Sequence, residues 1–278
     1  MRFSGHESFQ CRYYWLKKGY DYLMEDGNFS SNDAPVKLGV GRNMVTSIKF
    51  WLKAFGVFDE EKKKVSEVYK KIFDDKKGWD PYLEDQGTLW LLHYFLVKNN
   101  YASAYHLIFN EIRKRRPEFN FTHFENWIQE KAGSFASKTL KTDIQIFSRM
   151  YIPRDDSKDL DESYSGLLTE LGLVQKLKRE KLEWFSIEPK VRSEIPPAIF
   201  TYCILENESY GNSVSFDILY SEGVGSIFAF NREGLIEKLD EISERYPFMT
   251  FSNQAGIKEL QFSSKPDPIK ILQEYYEG

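Results

Sequence analysis

The stretch Ala34 to Phe58, APVKLGVGRNMVTSIKFWLKAFGVF, restricts the fold of this chain more than any other. Gly39 and Gly41 bracket a tight turn, because glycine takes left-handed backbone angles at little cost. From Arg42 onward the apolar residues fall at Met44/Val45, Ile48, Trp51/Leu52 and Phe55. That is the i, i+3/i+4, i+7 spacing of an amphipathic helix. Arg42, Thr46, Lys49 and Lys53 share the opposite face. Gly56 ends the helix as a C′ residue. A helix, a glycine turn and a second helix with a basic polar face is how a helix-turn-helix lays a reading helix in a DNA groove. An ordinary core helix with one solvated side gives the same pattern, and both readings stand on these residues alone.

Upstream, His6 beside Glu7 offers acid/base or metal-ligand chemistry. The competing reading is that Ser4 or Ser8 caps a first helix through Tyr14, Leu16, Tyr20 and Leu23, with Glu7 favoured by the helix dipole. Downstream, Asp59 to Val65 is short and charged, so a wing after the central helix would be small. Ser66 is placed to cap a short helix marked by Val68/Tyr69 and Ile72/Phe73.

Gly78 to Thr88, GWDPYLEDQGT, gathers three carboxylates, Asp80, Glu84 and Asp85. Clustered carboxylates can hold Mg²⁺, a hard cation that prefers oxygen ligands and promotes phosphodiester cleavage. Equally, Asp85 or Thr88 can cap the following helix, Leu89 to Leu96, which is apolar nearly all round and should be buried. His93 on that helix reads as a satisfied core histidine. Residues 101–152 read as helical, with a basic run Arg113 to Arg116 that suits either phosphates or a helix C-terminus.

Pro153 to Ser165 is polar and acidic, which suggests a linker between a helical domain, 1–152, and an α+β part, 166–278. Gly166 to Val174 reads as a helix ending at a glycine, Lys176 to Lys181 as a hairpin turn, and Leu182 to Ile187 as a strand. Together these suggest a second winged-helix-like unit. Pro196-Pro197 opens a helix. Val214 to Tyr220 and Ser226 to Phe230 read as strands of a hairpin around Gly223-Val224-Gly225. Leu235 to Tyr246 reads as an amphipathic helix, and Met249 to Ser252 and Leu260 to Ser263 as short strands. The expected class is mainly α, α+β.

The net charge of −4 excludes a blanket polycation, so any nucleic-acid contact must come from local patches such as the mildly basic N-terminal part. Cys11 and Cys203 lie far apart, with neither metal spacing nor a disulfide framework. No apolar run approaches the roughly 20 residues needed to span a membrane. The N-terminus lacks the apolar core of a signal peptide. A cytoplasmic protein is expected, with a homodimer left open. P-loop, dinucleotide, Gly-x-Ser-x-Gly and zinc motifs are absent from the sequence.

Four blocks taken together, FSGHESF, LGVGRNMVTSIKFWLKAFGV, WDPYLEDQGTLWLLHY and LLTELGLV, resemble a prokaryotic defence-island family of formally unknown function. Its members are often encoded beside a sulfate-adenylyl (PAPS) reductase-like gene. One group in the family looks like SspB, the DNA-nicking component of single-stranded DNA phosphorothioation systems. The resemblance implies double-stranded DNA as a partner and a Mg²⁺-assisted cut in one strand. It also implies a cysteine desulfurase, an ATPase and a PAPS-reductase-like protein as companions. On the residues themselves, Asp80, Glu84 and Asp85 are the candidate metal ligands, with His6 and Glu7 as further catalytic candidates. Arg42, Asn43, Thr46, Lys49 and Lys53 are the candidate DNA contacts. The alternatives are a non-catalytic winged-helix adaptor or regulator, and a protein-interaction module.

Overall fold

The computed structural model describes residues 1–153, 166–254 and 256–278. It forms two compact units, Met1–Ile187 and Glu188–Gly278. About half of the chain is helical and the sheets are small and antiparallel, so the mainly α, α+β class holds.

In the first unit the helices are α1 (Trp15–Met24), α2 (Ala34–Leu38), α3 (Arg42–Ala54), α4 (Glu67–Phe73), α5 (Gln86–Lys98), α6 (Ser103–Leu107), α7 (Arg113–Arg115), α8 (Phe121–Ala132) and α9 (Ser137–Tyr151). A π-helical turn, Ile108–Ile112, joins α6 to α7. The strands are β1 (Phe58–Asp59) and β2 (Lys64–Val65), which pair with each other, and β3 (Glu118–Asn120), β4 (Gln175–Arg179) and β5 (Leu182–Ser186), in the order β3-β5-β4. The second unit holds α10 (Pro197–Leu205), α11 (Phe216–Ser221), α12 (Val224–Ile227), α13 (Arg232–Arg245) and α14 (Pro268–Glu277). Its sheet runs β6 (Ser213–Ser215), β8 (Ile257–Phe262), β7 (Met249–Gln254).

The aromatics of the first unit are mostly core. Trp51, Phe55, Tyr69, Phe73, Trp90, Phe109, Phe147 and Tyr151 are almost fully buried. Removing one such ring costs about 3–5 kcal/mol, since the cavity left behind collapses only in part. Helix α5 is buried from Gly87 to Val97, as its all-round apolarity requires. His93 sits at its centre, with Nδ1 2.7 Å from the Tyr151 hydroxyl, a satisfied core histidine.

Three expectations are corrected. No helix begins at Ser4 or Ser8. Both have positive φ, and residues 3–14 run as an irregular strip before α1 starts at Trp15. Segment 166–187 packs in the first unit, because β5 pairs with β3: Phe185 lies opposite Phe119. The expected linker, save Pro153, lies outside the described residues. Third, the glycine hairpin at 223–225 is instead a pair of short helices, α11 and α12. A Cβ on Gly225 would come within 2.8 Å of the Tyr220 backbone and 2.9 Å of the Leu219 carbonyl. That glycine permits close packing rather than a strand turn. Among the described residues no helix is long and apolar enough to cross a membrane.

Candidate nucleic-acid interface

Helix α3 begins and ends where the sequence places it. Leu38 closes α2, Gly39 takes a left-handed φ of 62°, and Gly41 caps α3 in extended conformation. The apolar face, Val45, Ile48, Trp51 and Leu52, is buried, with the Trp51 indole donating to the Phe9 carbonyl at 3.1 Å. Arg42, Asn43 and Thr46 stand exposed on the first two turns. The N-cap, Gly41, has no side chain with which to cap this helix start, and the first turn of α3 carries no acid. The positive end of the dipole therefore opens to solvent next to a guanidinium, which suits an anion. Arg42 Nη2 donates to Asn32 Oδ1 at 3.4 Å. Arg42, Val45, Thr46 and Lys49 border a concavity of about 330 Å³ closed on the other side by Phe29 and Pro35.

The lower half of the basic stripe is engaged. Lys49 Nζ lies 2.8 Å from Glu60, and Lys53 pairs with the same carboxylate. The two lysines hold the Glu60 carboxyl well below its ordinary value, to about 2. Glu60 belongs to the loop between β1 and β2, so the small hairpin after α3 brings an internal anion onto the helix. The five expected DNA contacts thus divide into an open trio at the helix start and two half-buried lysines sharing one counter-ion.

The carboxylates of the 80–85 turn are organised around the backbone. Asp80 is buried, and its oxygens accept from the N–H groups of Glu84 at 2.8 Å and Asp85 at 3.1 Å. Leu83 takes a φ of 57° inside this loop, and its carbonyl accepts from the Tyr13 hydroxyl. Asp85 is the N-cap of α5 and accepts from Thr88 N–H at 3.1 Å. Glu84 is exposed. Among the described residues no three His, Cys, Asp or Glu side chains converge as a metal-binding group. Of the expected Asp80, Glu84 and Asp85 ligands, Asp80 accepts from the loop backbone and Asp85 caps α5.

His6 and Glu7 part company. Glu7 is exposed with a φ of 47°. His6 is buried, stacks on Trp51 at 6.1 Å between centroids, and places Nε2 3.3 Å from Asp143 Oδ1. Asp143 also accepts from Ser4 N–H at 3.0 Å. The pair ties the N-terminal strip to α9, and His6 Nδ1 has no hydrogen-bond partner among the described residues. Asp143 was invisible from sequence because it lies 137 residues from His6. Glu60 could have been found, since Asp59-Glu60-Glu61 follows directly on a basic helix.

A family of proteins of unknown function, DUF4007, matches residues 3–276. The chain belongs to the DUF4007 family. Among solved structures it is similar to a magnesium ion-bound crystal structure of SspB, at 23% identity and a TM-score of 0.83, covering 99% of this chain and 88% of that one. A further SspB crystal structure matches at 24% identity and a TM-score of 0.82, with the same coverage. At this identity the likeness establishes a shared fold. No curated protein matches. The family match takes in the four sequence blocks. Two of them hold the α2–α3 pair and the 80–85 turn, so these are features of a DUF4007 chain.

Proposed function

We propose that this DUF4007 protein is the DNA-engaging component of a phosphorothioation-type defence system, acting where one strand is opened for sulfur to enter the backbone. The reading draws on the sequence resemblance to SspB-type nicking components and on the shared fold. The observation that carries it is the exposed start of α3. In this reading α2, the glycine turn, α3 and the β1/β2 hairpin work as a helix-turn-helix with a small wing. Arg42 and Asn43 face base edges, which guanidinium and amide groups can read in pairs of hydrogen bonds. Thr46 and the open helix start meet phosphate oxygens. Lys49 and Lys53 join once a phosphate displaces Glu60. A cysteine desulfurase, an ATPase and a PAPS-reductase-like protein would supply the sulfur chemistry.

Mg²⁺ belongs to this reading through the magnesium-bound SspB structure. The described residues offer it no ready ligand set, so no cleavage step is assigned to Asp80, Glu84, Asp85, His6 or Glu7. That same observation favours a second reading, a DNA-binding adaptor with no cutting centre of its own. Supercoiled plasmid incubated with the protein and Mg²⁺ separates them. Open circles that disappear with EDTA are the expected result. Intact plasmid together with retained duplex binding selects the adaptor, and loss of duplex binding at low salt rejects both.

A further inference from the structure

A second cationic surface of the first unit is built from three elements. On α8, His123, Trp127 and Lys131 follow at four-residue intervals and so lie one above another on one face. The exposed Arg115 of α7 sits over Trp127, with Cζ 4.0 Å from the ring centroid, and Lys131 Nζ is 5.4 Å from the same ring. From the sheet, Trp184 of β5 meets His123 at 5.3 Å between centroids. Arg179 of β4 reaches past Trp184, 5.6 Å from its ring, to bond Glu118 through two nitrogens at 2.6 and 3.0 Å. The row thus sets three rings, Trp184, His123 and Trp127, between Arg179 at one end and Arg115 and Lys131 at the other.

The outer groups of this row are open. Arg115, Lys131 and Arg179 are exposed, and Trp184 and His123 are half-buried. Beside Trp184 at the hairpin tip, Leu182 is 53% exposed. Burial, and then the charge of Arg116, hold His123 below its ordinary value, so its ring is neutral at pH 7. Residues 113–131 and 175–186, which carry this row, hold nine Lys and Arg against five Glu, in a chain whose overall charge is −4. The more buried of the two indoles, Trp127, is covered by a guanidinium, so the surface offers charge and flat faces rather than an apolar groove for a peptide.

We propose that this ladder binds single-stranded nucleic acid. Unpaired bases stack on Trp184, on His123 and on the outer plane of Arg115, while the backbone phosphates follow Arg115, Lys131 and Arg179. Rings for unpaired bases, flanked by cations for the backbone, are the two kinds of group that a single strand needs. A duplex cannot use it, because paired bases keep their faces covered by their neighbours. The surface is separate from the α3 face and does not depend on nicking.

The test uses the full chain and a fluorescein-labelled oligo-thymidylate of about 15 nucleotides at about 50 mM salt, read by anisotropy. Trp184→Ala and Arg115→Ala should each weaken binding by about 5- to 50-fold. Trp184→Phe should stay within about twofold, since any flat ring stacks. Binding should quench tryptophan fluorescence, and Trp184→Phe should remove part of that quench, which a purely ionic contact would not do. Duplex affinity should be unmoved by these variants and lowered by Arg42→Ala, so failure of the ladder and failure of the α3 reading are told apart. The inference is overturned if the wild type does not bind the oligonucleotide, or if folded Trp184→Ala binds it unchanged. Should Trp184→Ala not fold, Arg115→Gln at its exposed site decides by the same criterion.

Discussion

Helices α3 and α5 each begin beside charged residues, and they use them in opposite ways. At the start of α5 the carboxylates of Asp80 and Asp85 are turned inward onto backbone N–H groups. At the start of α3, Arg42, Asn43 and Thr46 are exposed, and the N-cap is a glycine with no side chain to turn onto the helix terminus. The difference follows from the other faces of the two helices. Helix α5 is buried all round, so its first turn must be satisfied from within the protein, where an unpaired N–H is costly. Helix α3 buries one stripe only, which leaves its start, with Arg42, Asn43 and Thr46, exposed to water. A charged cluster next to a helix is thus a poor guide to a site unless the helix keeps a wet face.

The largest test of this contrast is Asp80→Ala. It strands the N–H groups of Glu84 and Asp85 in a loop that already holds Leu83 at positive φ. Urea unfolding should show a loss of about 2–4 kcal/mol. The folded fraction should bind duplex DNA as the wild type does. A variant that kept full stability but lost nicking would return Asp80 to the chemistry.

Thr46→Glu works at the opposite pole. It sets a carboxylate on the exposed face of α3, where stability should move by less than about 0.5 kcal/mol. Duplex affinity should fall on the order of 10-fold at low salt, through repulsion of the phosphates. Unchanged binding in an electrophoretic shift would take α3 out of the interface.

Glu60→Gln sharpens the division within α3 itself. Freed of their shared counter-ion, Lys49 and Lys53 should raise duplex affinity by about 2- to 5-fold, with a steeper salt dependence. No gain would mean that the lysines never reach DNA.

The smallest effect is on acid stability. Glu60 titrates at about 2 in the folded protein against an ordinary 4.5. Its folded value is depressed, so its contribution is present above about 4.5 and is lost as pH falls toward about 2. Because the carboxylate is exposed, screening limits that contribution to less than about 1 kcal/mol. Thermal melts across this range should show the loss in the wild type and not in Glu60→Gln.

Local periodicity made much of the fold legible. The α3 boundaries, the burial of α5, the proline-started α10 and strand β5 were readable, because propensity and pattern agree there, whereas Gln175–Arg179, read as a turn, is strand β4. The helices α11 and α12 were not. Val214 to Phe230 reads as two strands around glycines, yet those glycines serve close packing, which is a tertiary requirement. Strand β3 is three residues long and exists only by pairing with β5, some 65 positions onward. The side chains that hold the expected site residues were not legible in the sequence. Lys49 and Lys53 were found, and the Glu60 that occupies them was not. His6 was found, and Asp143 was not, since no local signal joins residues that far apart.

The central claim is that the open start of α3 is where duplex DNA is met. Its most direct test is the salt dependence of duplex affinity in the wild type and in Arg42→Ala. Loss of one phosphate-neutralising cation should lower affinity at every salt concentration and flatten the slope of log K against log salt by about one unit. A slope identical to the wild type, with affinity unchanged, would contradict the claim.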